Sequence, residues 1–174
     1  MQQNLSDLIR STIPTPLGEM TAVTSDRGIV LFDFSDNPHL ARETRDLSRY
    51  LPGSRTTEGS HPLLTQLTAE ISEYFAGTRH SFSVPLHPVG TPFQLEVWQA
   101  LQTIPYGQTR SYAEEARMIG RPAAVRAVAN ANGRNRLPIL IPCHRVIGSD
   151  GTLTGYSGGI SRKTELLRLE HRFM

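Results

Sequence analysis

The sequence predicts an α+β fold, with strands near the beginning of the chain and mostly helices in its second half. Strand-forming segments such as MTAVTS and GIVLFDF follow one another in the first 40 residues. From residue 91 onward, apolar residues recur at the three- and four-residue spacings of helices. The proline- and glycine-rich segment SFSVPLHPVGTP separates the two patterns. We therefore predict two domains, residues 1–88 and 89–174.

The composition of the chain is that of an ordinary globular protein. Of its 174 residues, 38% are apolar and 20% charged. No apolar run approaches the roughly 20 residues of a spanning helix, and the N-terminal segment lacks a signal-peptide pattern. The single cysteine excludes an internal disulfide and a zinc site built from several thiolates. A reducing, cytoplasmic setting is the expectation.

The charge of the chain is unevenly distributed. Residues 1–88 carry a net charge of −3 and residues 89–174 a net charge of +5, with 17 arginines and one lysine in the whole chain. The basic half favours an anionic partner such as nucleic acid. A chance distribution of charges could give the same difference between the halves. The histidines outside the cysteine region have no metal-ligand spacing, and we expect no metal site.

The first domain is predicted to contain a hairpin and two helices. MTAVTS and GIVLFDF are joined by a short turn at residues 26–28, as expected for paired strands. PHLARETRDLSRYL has helical character. HPLLTQLTAEISEYFAG is a stronger helix, because Leu64, Leu67 and Ile71 share one face and Gly77 follows the last turn. These elements predict a small α/β domain.

The second domain is predicted to contain a helix-turn-helix. TPFQLEVWQALQTI reads as a helix with Thr91 as N-cap and Pro92 in its first turn. SYAEEARMIG is a short helix that begins after Ser111 and stops at Gly120. RPAAVRAVANANG is predicted as a further helix opened by Pro122, which completes the helix–turn–helix pattern. A glycine-rich loop, GSDGTLTGYSGG, and a last helix, SRKTELLRLEH, follow.

The stretch ILIPCHRVIG contains the only cysteine, which we expect at the end of an apolar strand or extended run. A buried structural thiol is one interpretation of Cys143. The other is a reactive thiolate, favoured by the neighbouring His144 as a base and Arg145 as a cation. Since side chains adjacent in sequence rarely face each other, a water or third group is needed. Glu170 is the best carboxylate for a Glu–His–water–Cys relay.

The second helix of the helix-turn-helix is unusually slim. It carries many alanines and one prominent arginine, Arg126. Close packing against another helix would explain the small residues. Alternatively, the slim face enters a groove of DNA and Arg126 projects into the base stack or toward a phosphate. Few base-reading side chains are present, which favours contacts to shape and backbone over sequence reading.

Several segments, in the same order, resemble the methylated-DNA–protein-cysteine methyltransferases, also called alkylguanine-DNA alkyltransferases. They are TPFQLEVWQALQTIPYGQTRSYAEEA, GRPAAVRAVANANGRN, PILIPCHRVIGSDGTLTGYSGG and RKTELLRLE, which together span roughly residues 91–170. The resemblance implies an N-terminal ribonuclease-H-like α/β domain with a small antiparallel sheet. It also implies a winged-type helix-turn-helix in the C-terminal domain. The N-terminal PLGEM and EYFAG match the family in outline only.

The resemblance implies a catalytic role for five residues. Cys143 is the acceptor thiol, deprotonated through a water by His144, with Glu170 completing the relay. Asn135 braces the turn that holds Cys143. Tyr112 donates a proton toward the N3 atom of guanine as the base departs, and helps to turn the nucleotide phosphate.

Further residues are expected to hold the DNA and the extruded base. The backbone of Cys143 and Val146 accepts from the base amine, Ser157 contacts the base oxygen, and Arg126 replaces the base in the stack. The partner is double-stranded DNA bearing 6-O-alkylated guanine, approached from the minor groove by a monomer. Residues expected at the DNA are Arg126, Ala127, Ala123, Asn132 and Ser149.

The implied reaction is irreversible transfer of the alkyl group to Cys143, once per molecule and without a cofactor. A DNA-lesion binder without transfer and a thiol enzyme acting on another substrate are the rival interpretations. The first conflicts with the presence of Cys143, and the second with the adjacency of cysteine and histidine. Ala129 and Arg136 depart from the family pattern, which usually has glycine and proline there, and Arg136 could add a phosphate contact. Activity on 4-O-alkylated thymine and clustering of molecules on DNA remain open.

Overall fold

The structure is a computed structural model that describes residues 7–174. Residues 1–6, part of the segment that lacks a signal-peptide pattern, lie outside the described residues. The chain forms two compact units that meet in sequence between Val89 and Gly90. Within the described part, no helix is long and apolar enough to cross a membrane. The α+β prediction is confirmed, because a sheet with two helices forms the first unit and the second unit is mostly helical.

The first unit is built on a four-stranded sheet in the order β3–β2–β1–β4. Strands β1 to β3 are antiparallel neighbours, whereas β4 joins β1 in parallel. The edge strand β4 is exposed throughout, and β2 and β3 are buried throughout. The strands span Asp7–Ile13 (β1), Met20–Ser25 (β2), Gly28–Phe34 (β3) and Arg55–Glu58 (β4).

The β2–β3 hairpin turns where the sequence predicts it. Gly28 has a φ of 152°, and a Cβ there would lie 2.7 Å from the carbonyl oxygen of Pro85. Only glycine lets the chain pass so close, and the neighbouring Ile29 N–H donates to the same oxygen at 2.9 Å. Both predicted helices are present as α1 (Leu40–Tyr50) and α2 (Pro62–Phe75), and they pack against the sheet.

The second unit contains four helices and a two-residue parallel ladder. Helices α3, α4 and α5 pack against one another, and the strands β5 and β6 pair beside them. The elements are α3 (Pro92–Leu101), β5 (Arg110–Ser111), α4 (Tyr112–Met118), α5 (Val125–Gly133), β6 (Val146–Ile147) and α6 (Ile160–Arg172).

Helices α3 and α4 start after Thr91 and Ser111, the N-caps that the sequence predicts, and each start is closed by a capping box. The hydroxyls of Thr91 and Ser111 accept from the backbone N–H of Gln94 and Glu114, and those side chains accept in return from the N-cap N–H groups. Each box satisfies two backbone donors that a helix start leaves unpaired. Gly120, with a φ of 69°, ends the turn region after α4.

Two predictions about local structure are wrong. Helix α5 begins at Val125 and not at Pro122, because residues 121–124 form a separate turn closed by the Ala124 N–H to Arg121 carbonyl bond. The run that leads to Cys143 is a series of turns and not a strand. Its prolines cannot donate to a strand ladder, and Ile139 has a φ of 72°.

Candidate active site

Cys143 begins a short 3₁₀ turn, Cys143–Arg145, that is almost closed to solvent. The cysteine is 7% exposed. Its backbone N–H donates to the carbonyl of Ile141 at 2.8 Å, and the N–H of Arg145 donates to that of Pro142 at 3.0 Å. Strand β6 starts directly afterwards and pairs with β5, which precedes the Tyr112 end of α4. Cys143 is therefore linked to the helix-turn-helix through the pairing of β6 with β5.

Asn135 holds the approach to this turn. Its side chain is 1% exposed, and its Nδ2 donates to the Ile141 carbonyl at 2.9 Å while its Oδ1 accepts from the Leu137 N–H at 2.9 Å. One amide thus bonds both ends of a five-residue loop. The contact to Ile141 lies two residues before Cys143, in the position expected of a bracing group.

His144 and Glu170 form a buried pair. His144 Nε2 lies 2.7 Å from Glu170 Oε1, and their side chains are 0% and 1% exposed. Burial lowers the pKa of His144 and outweighs the opposing effect of Glu170, so the ring is neutral at neutral pH. Nε2 then carries the proton that faces the carboxylate, and Nδ1 presents its lone pair. Nδ1 is buried and has no hydrogen-bond partner within residues 7–174.

Arg145 fixes the same carboxylate from its other side. Its Nε and Nη2 donate to Glu170 Oε2 and Oε1, each at 2.9 Å, and its Nη1 donates to the Ile104 carbonyl at 2.7 Å. The Gly107 N–H adds a bond of 3.2 Å to Oε2. Burial alone would raise the pKa of Glu170, but the hydrogen bonds from His144 and Arg145 and the charge of Arg145 hold it well below its usual range. Glu170 is therefore an ionised, immobile acceptor for the histidine proton.

Lys163, the only lysine of the chain, lies buried beside the cysteine turn. Its Nζ donates to the carbonyls of Val146 at 2.6 Å and Thr154 at 3.0 Å, which ties β6 to the glycine-rich loop. Burial lowers the pKa of Lys163, and the nearby charge of Cys143 opposes that change. A cation at this place stabilises negative charge on the cysteine sulfur.

The hydroxyl of Tyr112 points to the glycine-rich loop. It donates to the Thr154 carbonyl at 3.0 Å. Burial raises the pKa of Tyr112, and the charge of Cys143 raises it further, so the phenol stays protonated at neutral pH. The Tyr112 hydroxyl is therefore able to donate a hydrogen bond at neutral pH.

A cleft of about 640 Å³ opens beside Tyr112. It is bounded by the start of the second helix of the helix-turn-helix and by the glycine-rich loop. Its lining residues are Tyr112, Ala123, Val125, Arg126, Ala129, Thr154 and Gly155. Among these residues Arg126 is exposed, and the two alanines add little side-chain volume.

The other residues expected to bind DNA or base are accessible to different degrees. Ala127 is exposed on α5, Ser149 is exposed in the turn after β6, and Ser157 is half-buried in the loop before α6. The carbonyls of Cys143 and Val146, expected to bind the base amine, accept bonds from the Val146 N–H and from Lys163 Nζ.

Two expected surface residues are buried instead. Asn132 is 4% exposed, and its Nδ2 donates to Glu115 Oε2 at 2.6 Å between α4 and α5. Its side chain is therefore not a DNA contact, which corrects the prediction. Arg136 is 6% exposed, so it does not offer its charge to a phosphate. Among residues 7–174, no group of three or more potential metal ligands is found.

Both units match known families of sequences. Residues 92–172 match the family described as 6-O-methylguanine DNA methyltransferase, DNA binding domain. Residues 8–88 match 6-O-methylguanine DNA methyltransferase, ribonuclease-like domain. The chain belongs to the 6-O-methylguanine DNA methyltransferase family. The resemblance predicted from the sequence is thereby confirmed.

Relatives within the 6-O-methylguanine DNA methyltransferase family cover nearly the whole chain. The constitutive methylated-DNA–protein-cysteine methyltransferase of Bacillus subtilis is 47% identical over 90% of this chain and 88% of its own length. The methylated-DNA–protein-cysteine methyltransferase of Mycobacterium bovis is 47% identical over 91% of this chain and 90% of its own.

Solved structures of the family agree with the fold. The O6-methylguanine methyltransferase of Mycobacterium tuberculosis is 40% identical, with a TM-score of 0.82 over 96% of this chain and 94% of that one. A structure of Mycobacterium tuberculosis OGT in complex with DNA gives a TM-score of 0.80 with the same identity and coverage.

Sequence reasoning missed Lys163 and Thr154. The sequence does single out Lys163, because it is the one lysine in a chain with 17 arginines. It also lies in the first turn of a helix with apolar periodicity. Thr154 acts through its backbone carbonyl, which no side-chain pattern reveals. The joint acceptance from Tyr112 and Lys163 becomes visible only in the fold.

Proposed function

We propose that this chain repairs DNA by moving the alkyl group of 6-O-alkylated guanine to Cys143, irreversibly and once per molecule. The observation that supports this most strongly is the neutral, buried His144, whose Nε2–H is held by the ionised Glu170. The histidine is thereby set to accept a proton only at Nδ1. It is adjacent in sequence to the only thiol of the chain.

The first step is formation of the thiolate. The Cys143 proton passes through a water to Nδ1 of His144, and the imidazolium that forms is stabilised by Glu170. Arg145 is a positioning residue, because its two bonds to Glu170 fix the direction of the carboxylate. Lys163 stabilises the charge on the sulfur.

The second step is a direct displacement at the alkyl carbon. The sulfur of Cys143 forms a bond to this carbon while the bond from the carbon to the 6-oxygen of guanine breaks. The electron pair of the broken bond passes into the base. Tyr112 gives its proton to N3 of the departing base, and the phenolate regains a proton through water as the His144 imidazolium releases the one that it took from Cys143. The products are a thioether on Cys143 and guanine. Because water does not displace a thiolate from a thioether, the free thiol is not regenerated.

The third element of the proposal is extrusion of the damaged base from double-stranded DNA. In this proposal, DNA approaches the cleft beside Tyr112, Arg126 and the glycine-rich loop with its minor groove. Arg126 is exposed at the start of α5 and takes the place of the extruded base. Ala123 and Ala127 let the backbone approach, and Ser149 contacts the DNA backbone.

The base is held by backbone and hydroxyl groups. The backbone carbonyls of Cys143 and Val146 accept from the base amine, and Ser157 contacts the base oxygen. All these residues belong to the unit from Gly90 onward. We therefore assign DNA binding and transfer to residues 89–174, acting as a monomer without a cofactor.

The stoichiometry of repair tests this function. A duplex with one 6-O-methylguanine is mixed with increasing protein, and restored guanine is measured by digestion and chromatography. We expect one guanine restored per active molecule and none with Cys143→Ser, although this variant still binds the duplex. Repair by Cys143→Ser, or repeated turnover by the unaltered chain, would contradict the proposal.

A further inference from the structure

Glu115 is a buried acid between the two helices of the helix-turn-helix. It lies on α4 and is 0% exposed. Its partner Asn132 lies on α5, is 4% exposed, and donates from Nδ2 to Glu115 Oε2 at 2.6 Å. Neither residue takes part in the proposed transfer. The pair is a direct polar link between α4 and α5.

The pair has one donor too few if Glu115 is ionised. Glu115 Oε1 and Asn132 Oδ1 are both buried, and neither has a hydrogen-bond partner in the described part of the chain. A carboxylate and an amide oxygen can only accept, so neither satisfies the other. A proton on Oε1 supplies a donor that Oδ1 can accept. Two buried polar atoms are then satisfied by one proton.

The surroundings contain no counter-ion that would favour the charged form. Among residues 7–174, no ion pair involves Glu115, and Glu96 of the neighbouring α3 is paired with Arg121 at 3.0 Å. Burial raises the pKa of Glu115 to about 7, with the Asn132 bond opposing it. The titratable groups on the elements packed around it are Tyr112, Glu114 and Arg117 on α4, Arg126 on α5, Glu96 on α3 and Arg110 on β5.

We propose that Glu115 is held as a neutral carboxylic acid whose proton bonds Asn132 Oδ1, so that a two-bond acid–amide pair joins α4 to α5 and opens when the acid ionises. The amide donates to one oxygen of the acid and accepts from the other. Ionisation replaces the second bond by repulsion between two buried acceptors. The link is then weakened and α4 is less firmly held against α5.

The consequence for function rests on the proposed DNA repair. Tyr112 starts α4 and Arg126 lies in the first turn of α5, and both line the cleft. Loosening one helix against the other disturbs their relative position. Affinity for DNA should therefore fall as Glu115 ionises.

The direction of the pH effect follows from the two states of the acid. The folded pKa of Glu115 lies above the ordinary value of 4.5, so the folded chain retains a proton that the unfolded chain loses. The stabilising contribution is full below 4.5 and is lost as the pH rises through about 7. Between pH 6 and pH 8 the unfolding equilibrium constant should rise about tenfold from this group.

The titration of Glu115 in the unaltered protein tests the first part. Carboxyl carbons are followed by NMR, with Glu115 assigned by comparison with Glu115→Gln. We expect a midpoint near 7 for this carboxyl. A midpoint among those of the exposed glutamates would overturn the proposal, whatever the stability of any variant.

Matched variants test the link between the helices. Glu115→Gln keeps the shape of the acid and offers an N–H to Asn132 Oδ1 at every pH. Glu114→Gln changes the exposed neighbour, where glutamine still serves the capping box. In urea unfolding at pH 6 and pH 8, Glu115→Gln should lose the tenfold change that Glu114→Gln and the unaltered chain retain. Equal pH dependence in all three would overturn the acid–amide link.

Binding to an undamaged duplex at the same two pH values tests the functional part. We expect the affinity of the unaltered chain to fall several-fold more than that of Glu115→Gln. If the carboxyl titrates near 7 but both proteins lose affinity equally, the effect on DNA is wrong while the acid–amide pair stands. Failure of the alkyl transfer itself would be seen in the guanine assay and leaves the titration unaffected.

Discussion

His144 Nε2 lies 2.7 Å from Glu170 Oε1, in a pair whose side chains are at most 1% exposed. The same carboxylate accepts two bonds from Arg145 and one from the Gly107 backbone. Each oxygen of Glu170 therefore accepts two hydrogen bonds, which hold the carboxylate in place beside the histidine. This fixes the imidazole tautomer, and with it the nitrogen that can accept the Cys143 proton.

Replacing Glu170 by glutamine should slow alkyl transfer. The amide carries no charge to stabilise the imidazolium and leaves Arg145 buried without its counter-ion. Because a positioned base contributes about 10²- to 10⁴-fold, we expect a loss of at least 10²-fold in the first-order transfer constant. The measurement is single-turnover repair at saturating protein.

Glu165→Gln is the matched control for this change. Glu165 lies on the same helix, is half exposed and pairs with Arg168 at the surface. Its transfer constant should equal that of the unaltered chain. Equal rates for both glutamine variants, at full folding and full DNA binding, would remove Glu170 from the relay.

The pH dependence of transfer should follow the lowered pKa of His144. Since burial lowers this pKa below 6.5, the ring stays neutral and able to accept a proton at pH values where an exposed histidine is already charged. Transfer by folded protein should therefore stay constant as the pH falls through 6.5 and decrease only below it. Single-turnover rates across pH 5 to 8 measure this. A decrease centred at or above 6.5 would mean that His144 is not the acceptor.

Replacing Arg126 by alanine should weaken extrusion of the base. The side chain lines the cleft and is exposed, so its loss leaves the fold intact but leaves the space of the extruded base unfilled. We expect repair of duplex DNA to fall on the order of tenfold, while reaction with the free base 6-O-methylguanine is unchanged. Arg168→Ala, which removes an exposed arginine from α6, should repair at the normal rate. Equal loss on duplex and free base would place Arg126 in the chemistry and not in extrusion.

Replacing Asn135 by alanine should destabilise the second unit. The change leaves the Leu137 N–H unpaired in the interior and removes one of the two bonds to the Ile141 carbonyl, at a cost of roughly 1–3 kcal/mol. Asn130→Ala, at an exposed position of α5, should change the free energy of unfolding little. Urea unfolding compares the two. If Asn135→Ala is as stable as Asn130→Ala, the amide does not brace the cysteine turn.

The sequence predicts helix starts well where the cap is local. Thr91 and Ser111 form their capping boxes within four residues, and no distant contact is needed to place them. The start of α5 was misplaced because Pro122 fits the first turn of a helix and also a separate turn. The outcome depends on how α5 packs against α3 and α4, which local patterns do not contain.

The apolar run before Cys143 shows why hydrophobicity alone misleads. Four aliphatic residues favour a buried strand. However, Pro138 and Pro142 have no N–H to donate to a neighbouring strand. The Asn135 side chain, in place of such a strand, bonds the Leu137 N–H and the Ile141 carbonyl. The Asn135 amide bonds both ends of this loop, and pattern reading does not connect the amide to the loop. Likewise, the separation of 26 positions between His144 and Glu170 does not by itself indicate a contact. The sequence offers Glu170 only as the best carboxylate for the relay, and the family resemblance supports that choice.

The burial of Asn132 also could not be predicted from local sequence patterns. Asn132 lies in a predicted helix rich in small residues, and a polar side chain there is expected to face solvent. Its partner Glu115 also reads as a surface charge, because each residue taken alone is usually exposed. Two polar residues on neighbouring helices can satisfy each other inside the fold, and this pairing depends on the packing of α4 against α5.

The mass of the protein after repair tests the central claim most directly. The chain is incubated with a duplex containing 6-O-methylguanine, its intact mass is measured, and the modified peptide is sequenced by fragmentation. We predict a gain of one methyl group per molecule, located on Cys143 and absent from Cys143→Ser. An unchanged mass under conditions in which the duplex is bound, or a methyl group on any other residue, would contradict the account.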